Sequence, residues 1–360
     1  MEPINICFIT QIYNENDPYR SNVVEWIRNI SLNSNVNHLH ILTRYKSESI
    51  VGKKCSISSI QSRFKLVRLI LFYIEIFKQV SRKSIIFIHM GGPYAINLVL
   101  FKIFFKTKVY QWWAHPVIGI STKFGFYCTV DKLFTSTKSG FPIDSEKKLV
   151  IGQGINIKKF PKRNKSKPRK KSLVTSSRIT SRKNIHKMIN VIDFMKKNKF
   201  NDINLSIYGS PITHKDKLYA KYLNELIKKS KLENNIRIFE AVDHGQLNKC
   251  YEKHNIYLNF SETALDKSVL EAMSTGIPIL SCNECFMEII DNFYLKDLIT
   301  FNSFDKVEQI VEKIYILLNF TNDEFDEYVL RSNQFISENH SIEKLTNSIL
   351  KNIFNDINTN

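Results

Sequence analysis

The feature that most constrains this chain is an alternation of short apolar runs with helical periodicity, played through twice along its 360 residues. In the first half, residues 5–10 (NICFIT), 39–43 (LHILT), 85–89 (IIFIH), 109–113 (VYQWW) and 132–137 (KLFTST) read as short buried strands. In the second, residues 172–177 (SLVTSS), 204–209 (NLSIYG), 236–240 (IRIFE), 256–260 (IYLNF), 277–281 (IPILS) and 298–301 (LITF) do the same. Helical spacing fills the gaps, for example over Met188–Lys197, Lys217–Lys229 and Val269–Ser274. Strand–helix alternation of this kind means parallel sheets covered by helices on both faces. The chain is therefore expected to form two doubly wound α/β domains: residues 1–160, a basic linker over 161–171, a second domain over 172–336, and a last helical segment over 337–360. In open parallel sheets ligands bind beyond the carboxyl ends of the strands, so the expected site is a cleft between the domains.

Charge is unevenly placed. The formal net charge is +18. Residues 1–160 hold 22 Lys and Arg against 9 Asp and Glu, and 161–171 (PKRNKSKPRKK) add seven cations and no acid. Residues 172–360 hold 23 against 25, close to neutral. An excess confined to one part implies an acidic partner or surface for that part, although a general abundance of Lys, Asn and Ile would also raise it. The six cysteines, Cys7, Cys55, Cys128, Cys250, Cys282 and Cys285, are scattered through apolar runs, unlike a disulfide framework. Only Cys282 and Cys285 form C-x-x-C, with no second pair or His cluster to complete a zinc site. The opening MEPINICFIT carries an acid and runs directly into a strand, so no leader is expected there. The longest apolar stretch, Tyr94–Phe105, is interrupted by Lys102 and is too short to span a bilayer. A cytoplasmic protein, or one attached to a membrane from the cytoplasmic side, is expected.

The richest chemistry lies in Asn259–Leu280, NFSETALDKSVLEAMSTGIPIL. A strand ends at Phe260, a polar loop follows, and a helix starts near Asp266–Ser268. The free N–H groups and dipole at such a start suit phosphates. One turn further in, Glu271 projects a carboxylate that could accept from a ribose hydroxyl pair, or could be an ordinary surface residue. The helix stops at Gly276, and Pro278 opens the next strand. In Ser176–Asn184 (SSRITSRKN), Arg178 and Lys183 are five apart across a strand–helix turn. Both can reach one point above the sheet edge, where two cations fit a diphosphate; Arg182 and Lys187 read as solvated.

These residues resemble the retaining nucleotide-sugar glycosyltransferases of family 4, with the two-domain GT-B fold. Arg178-x4-Lys183 resembles the family's diphosphate clamp, VLEAMSTGIPIL its signature helix, and Glu271 the second glutamate of its E-x7-E motif, the ribose ligand. IGQGINIKKF (151–160) is similar to the stretch closing the family's front domain. WWAHP (112–116) is similar to the strand end whose histidine reaches the donor sugar, which makes His115 a catalytic candidate. The sequence departs from the motif at its first glutamate: Thr263 occupies that position, Glu262 lies one residue off, and Ala264-Leu265-Asp266 replaces Gly-Phe-Gly. The Leu265-Asp266-Lys267 run is similar to a bacterial subgroup variant. The resemblance then implies Asp266 or Glu262 at the sugar hydroxyls, Lys267 near the phosphates, and Ser268 and Val269 among the donor-binding residues.

The mechanism so implied is retaining transfer with no cofactor and no metal; the chain contains no Asp-x-Asp pair. Arg178, Lys183 and the helix-start amides would stabilise the leaving nucleoside diphosphate. The acceptor would attack from the face of departure, and His115 would orient the sugar unless it is a satisfied core histidine. His89, with Gly91 and Gly92 allowing close approach, is a further acceptor-side candidate. The implied setting is bacterial surface polysaccharide synthesis (lipopolysaccharide, O-antigen or capsule) on a glycan or lipid-linked acceptor, with the last helix crossing back to the front domain.

Residues 63–83 (RFKLVRLILFYIEIFKQVSRK) read as an aromatic-rich amphipathic helix flanked by cations, to which Lys102, Lys106 and Lys108 add. Such helices lie on anionic membrane surfaces; a core helix with a basic outer face is the alternative. Two other functions fit parts of the chain. One is an inactive sugar-nucleotide or glycan-binding scaffold. The other is a nucleic-acid-binding protein, but no specific nucleic acid is expected, since no interleaved stacking platform or known module accompanies the basic run.

Overall fold

The computed structural model describes residues 3–15, 17, 22–45, 52–164, 168 and 171–358. The chain divides into two compact units, residues 1–154 with 342–360, and residues 155–341.

Unit 1 runs β1 (Ile4–Thr10), α1 (Asn22–Leu32), β2 (Val36–Thr43), β3 (Cys55–Ser59), α2 (Lys65–Ser81), β4 (Ile85–His89), α3 (Gly92–Ile96), α4 (Val99–Phe105), β5 (Val109–Trp112), α5 (Ile120–Cys128), β6 (Lys132–Thr135) and β7 (Lys148–Val150). Its strands form one sheet in the order β3-β2-β1-β4-β5-β6-β7, with every pairing parallel. Unit 2 runs β8 (Ser172–Ser176), α6 (Ile185–Lys197), β9 (Asn204–Tyr208), α7 (His214–Lys229), β10 (Ile236–Phe239), α8 (Leu247–Tyr251), β11 (Ile256–Asn259), α9 (Lys267–Thr275), β12 (Ile279–Ser281), α10 (Glu284–Ile289), α11 (Lys296–Ile299), α12 (Val307–Leu318) and α13 (Asn322–His340). Its sheet is also all parallel, in the order β10-β9-β8-β11-β12. The last helix, α14 (Ile342–Asn358), belongs to unit 1. Both units are thus doubly wound α/β folds whose strand order reverses once, between β1 and β4 and between β8 and β11.

Burial accounts for the pattern. The strands carry near-continuous apolar runs because helices cover both faces. Phe8, Phe87, Tyr110 and Phe134 fill one side of the first sheet, while Cys7, Ile86, Ile88 and Leu133 fill the other. The expected strand over 298–301 is instead the end of α11, with only Thr300 bridging to Ser281. Leu295, Leu298 and Ile299 turn as a helix to pack on the unit 2 core, which four apolar residues in a row cannot distinguish from a strand. Two short edge strands, β3 and β7, were not expected; CSISS and KLV carry too little apolar signal.

The division between units also falls elsewhere than the residue pattern indicates. Ile155 and Phe160 are fully buried in the unit 2 core, and Ile155 pairs with Ser341. Arg163, within the expected linker, is buried in unit 2. Its guanidinium donates to the carbonyls of Glu252 (2.5 Å) and His254 (3.4 Å) and lies 5.2 Å from the Phe325 ring centre. Lys165, Ser166, Lys167, Arg169 and Lys170 of that stretch lie outside the described residues.

α2 departs from a core helix with a basic outer face. Its inward residues are Phe72, Ile76 and Gln79, and Glu75 reaches His40 of β2 at 3.7 Å. Burial pushes His40 down to about 4, against the pull of Glu75, so it is neutral at pH 7. The outward stripe is apolar: Leu66, Ile70, Ile74 and Phe77 are all exposed. Exposed Phe105 of α4 meets Phe77 edge-on at 5.9 Å, which makes the two helix faces continuous. No helix among the described residues is long and apolar enough to cross a membrane.

α14 buries Ile342, Leu345, Ile349 and Ile353, a stripe at helical spacing, in the core beside α1. A polar tie completes its docking: the Asp356 carboxylate accepts from Tyr110 Oη at 2.8 Å and from Lys108 Nζ at 3.1 Å. Burial opposes ionisation of Asp356, but the bonds from Tyr110 and Lys108 outweigh it and hold its carboxyl below the ordinary value. A depressed folded-state value means stability present above the unfolded value and lost as pH falls through the folded one. Asp356→Asn is therefore expected to cost about 1–3 kcal/mol of unit 1 stability at neutral pH. In urea unfolding, the gap between wild type and variant should close below about pH 4. A gap independent of pH would refute an ionic tie.

Candidate functional site

The reversal of strand order in unit 2 leaves the crossovers after β8 and β11 diverging above the carboxyl ends of the sheet. Two loops meet there, 177–184 and 260–266, and side chains rather than ladder bonds hold them. Lys183 forms an ion pair with Asp266, and both side chains are mostly buried. Asn259 Nδ2 donates to the second Asp266 oxygen at 2.8 Å, and Ser281 Oγ in turn donates to Asn259 Oδ1 at 3.0 Å. Asn184 sits at φ 50°, a left-handed conformation that asparagine tolerates better than most residues, and ends the turn before α6. Its Nδ2 donates to the Phe260 carbonyl (3.0 Å) and to Glu262 (2.9 Å). From below, Asn283 caps α10 with its Oδ1 and donates from Nδ2 to the carbonyls of Ser261 (2.9 Å) and Thr263 (3.0 Å).

Asp266 is the N-cap residue of α9, yet its side chain caps nothing. With the carboxylate taken by Lys183 and Asn259, the first-turn amides receive no bond from it. The positive end of the helix dipole thus lies beside a buried ammonium, an arrangement suited to an anion. Tyr257 Oη lies 2.9 Å from Ser268 Oγ and 3.0 Å from the Ser176 carbonyl, linking this helix start to the end of β8.

One turn in, Glu271 is only 3% exposed. Burial alone would raise its carboxyl, but His244, Lys267 and Lys159 outweigh that and hold it below the ordinary value. An ionised carboxylate only accepts, so His244 Nε2 donates to Glu271 Oε1 across 2.8 Å. The His244 ring in turn meets buried Phe160 edge-on, at 5.0 Å.

The other expected residues are placed as follows. Arg178 is exposed, with no side-chain hydrogen bond or ion pair to another described residue. Asp266 and Glu262, one or the other expected at the sugar hydroxyls, are each engaged with a chain cation, Asp266 with Lys183 and Glu262 with Lys187 at 2.6 Å. Lys187, read as solvated, is thereby tied. Thr263 offers its hydroxyl 3.3 Å from Ser261 Oγ. Lys267 opens α9 with Nζ buried, and Val269 is fully buried in the core. In unit 1, His115 follows β5; its Nδ1 accepts from the Val117 N–H at 3.0 Å, which leaves the proton on Nε2. His89 ends β4, stacked on Phe8 and edge-on to Trp26. Gly91 and Gly92 do not make room for a ligand. A Cβ at Gly91 would strike the Tyr94 ring, and one at Gly92 the Thr122 hydroxyl, so packing of α3 uses that space. Lys102 pairs with Asp131 and Lys108 with Asp356, which neutralises two cations expected on the basic surface. Asn259, Asn283 and His244 were not anticipated, because their partners lie 7 to 27 positions away. No group of three or more His, Cys, Asp or Glu that could hold a metal occurs among the described residues.

Residues 156–329 match the model of the family described as glycosyl transferases group 1, a span that contains all of the site just described in unit 2. A curated relative is the GtfA subunit of the UDP-N-acetylglucosamine–peptide N-acetylglucosaminyltransferase of Streptococcus agalactiae. It is 30% identical over 131 residues, 34% of this chain and 24% of its own length, so the chain spans about a quarter of that relative. Among solved structures, a glycosyltransferase from Rickettsia africae superimposes with a TM-score of 0.75 at 15% identity, covering 100% of both chains. HepE of Anabaena in complex with UDP gives 0.75 at 11% identity, over 98% of this chain and 100% of its own. The chain accordingly has the GT-B fold, and its residues 156–329 are similar to the glycosyl transferases group 1 family.

Lys183 and Asp266 are each other's principal counter-charge, so removing either leaves a mostly buried ion exposed to low dielectric. Asp266→Ala and Lys183→Ala are each expected to destabilise unit 2 by about 1–3 kcal/mol, with the double variant recovering at least ~1 kcal/mol of the sum. A denaturant double-mutant cycle measures this, and strict additivity would contradict the pairing.

Proposed function

We propose that the chain is a retaining, metal-independent glycosyltransferase that moves a sugar from a nucleoside-diphosphate sugar to a glycan or lipid-linked acceptor. The observation that carries this reading is one point above β8 and β11. There a buried ammonium, the start of α9 and, one turn on, a buried ionised carboxylate come together. Lys183 and Arg178 bind the diphosphate with the α9 amides, and Glu271 accepts from the ribose hydroxyls. As the glycosidic bond breaks, charge builds on the leaving diphosphate, and these preorganised donors stabilise it. The acceptor hydroxyl attacks from the face of departure and passes its proton to the departing phosphate oxygen, so no enzyme nucleophile is required. His115 is needed for turnover rather than for nucleotide binding. UDP is the first base to test, since a relative's name and HepE's bound ligand both contain it.

In calorimetry, one of UDP, GDP and ADP should bind, and Glu271→Ala should weaken it by roughly 1.5–3 kcal/mol, about tenfold or more. If none binds, the reading fails. If one binds but no sugar nucleotide is turned over, an inactive sugar-nucleotide-binding scaffold replaces it, a reading the Thr263 position favours.

The proposal extends to surface polysaccharide synthesis on the inner face of the cytoplasmic membrane. The outward stripe Leu66, Ile70, Ile74 and Phe77, continuous with Phe105, is bordered by exposed Arg63, Lys65, Arg82, Lys83 and Lys106. An apolar face rimmed by cations is complementary to an anionic bilayer. The protein should float with liposomes containing anionic lipid at low salt and less at high salt, and Ile70→Glu with Ile74→Glu should abolish flotation. Absence from the lipid fraction at both salts would reject membrane docking.

A further inference from the structure

Resting on the reading of Glu271 as the ribose ligand, we infer that His244 is the positioning residue that makes the site demand a ribose diol. His244 lies in the loop after β10, 27 positions before Glu271, and outside every motif that marks the donor site. Its Nε2–H donates to Glu271 Oε1 at 2.8 Å. Its other ring nitrogen, Nδ1, is buried and bonded to no other described residue. A histidine kept for structure alone would be expected to use both nitrogens; this one spends its single bond on the carboxylate.

The imidazole is itself fixed. Phe160 lies edge-on against the ring, and the Phe160 carbonyl accepts from Ser274 Oγ of α9 at 2.8 Å. Phe160, His244 and Glu271 therefore close a loop that starts and ends on α9. Its effect is on aim: a Glu on a helix can swing through several rotamers, and a donor on Oε1 holds one of them. With one lone pair of Oε1 committed to His244, Oε2 and the remaining pair on Oε1 stay open to hydroxyl donors. His244, Lys267 and Lys159 lower the Glu271 carboxyl by charge, and His244 also fixes its direction through a hydrogen bond.

The test uses the full chain, calorimetry, and UDP beside 2′,3′-dideoxy-UDP, or the GDP pair if GDP binds more tightly. His244→Ala should weaken the ribose nucleotide about tenfold, the loss expected for a charge-assisted hydrogen bond, and leave the dideoxy analogue unchanged. His244→Gln, which keeps an N–H donor, should restore most of the affinity. Adding Glu271→Ala to His244→Ala should cost little more than Glu271→Ala alone. If His244→Ala weakens both nucleotides equally, or His244→Gln fails to rescue while melting like wild type, the residue is structural and the inference is wrong. If wild type binds neither nucleotide, or Glu271→Ala does not discriminate between them, it is the reading of the donor site itself that fails.

Discussion

The Asp266 carboxylate accepts from two directions, Lys183 on one oxygen and Asn259 on the other, and the loops at the carboxyl end of the second sheet depend on it. Parallel strands end abruptly, and the backbone groups just beyond them have no ladder to join. Unit 2 answers with amides. Asn259 ends β11 and holds Asp266, Asn184 ends the β8 turn and holds the Phe260 carbonyl, and Asn283 holds the carbonyls of Ser261 and Thr263. Each amide bonds to a segment distant in sequence, so the site is tied as a unit. The consequence for α9 is that its N-cap side chain is drawn away from the helix and caps none of its first-turn amides.

The same economy explains α2 in reverse. A helix over a parallel sheet ordinarily turns its apolar stripe inward. Here β2 and β3 offer a polar surface: His40 lies 2.8 Å from Ser56 and 2.9 Å from Ser58. Glu75 faces that surface, 3.7 Å from His40, and the surplus apolar residues go outward. Covering solvent with Leu66, Ile70, Ile74 and Phe77 has no benefit for a free monomer, and contiguous apolar faces of this kind mark interaction sites.

What could be read from the residues follows from the range of each interaction. The strand–helix alternation is local, so both doubly wound folds were legible, as were α6, α7 and α9. The edge strands were not, because CSISS and KLV gain their place from a neighbour strand rather than from their own burial. LITF was misread because four apolar residues carry no period. Arg178, Lys183 and Glu271 stood out by residue type and by resemblance. That Asp266 binds a lysine, that Glu262 binds Lys187, and that His244 meets Glu271 depend on three-dimensional proximity that no spacing rule predicts. Gly91 and Gly92 show the converse: a glycine pair reads the same whether a ligand or Thr122 fills the space.

Charge is used differently in the two units. In unit 1 several cations are cancelled within the fold, Lys102 by Asp131, Lys108 and Lys132 by Asp356, and Lys78 by Glu75. Arg63, Lys65, Arg82 and Lys83, at and beside the ends of α2, stay exposed together with its apolar stripe. In unit 2 the cations at the sheet end are paired in advance, Lys183 with Asp266 and Lys187 with Glu262. Such pairing keeps a buried ammonium affordable without a ligand, because an uncompensated charge there would be severely destabilising. Arg178, in the loop after β8, stays exposed and makes no side-chain bond to another described residue.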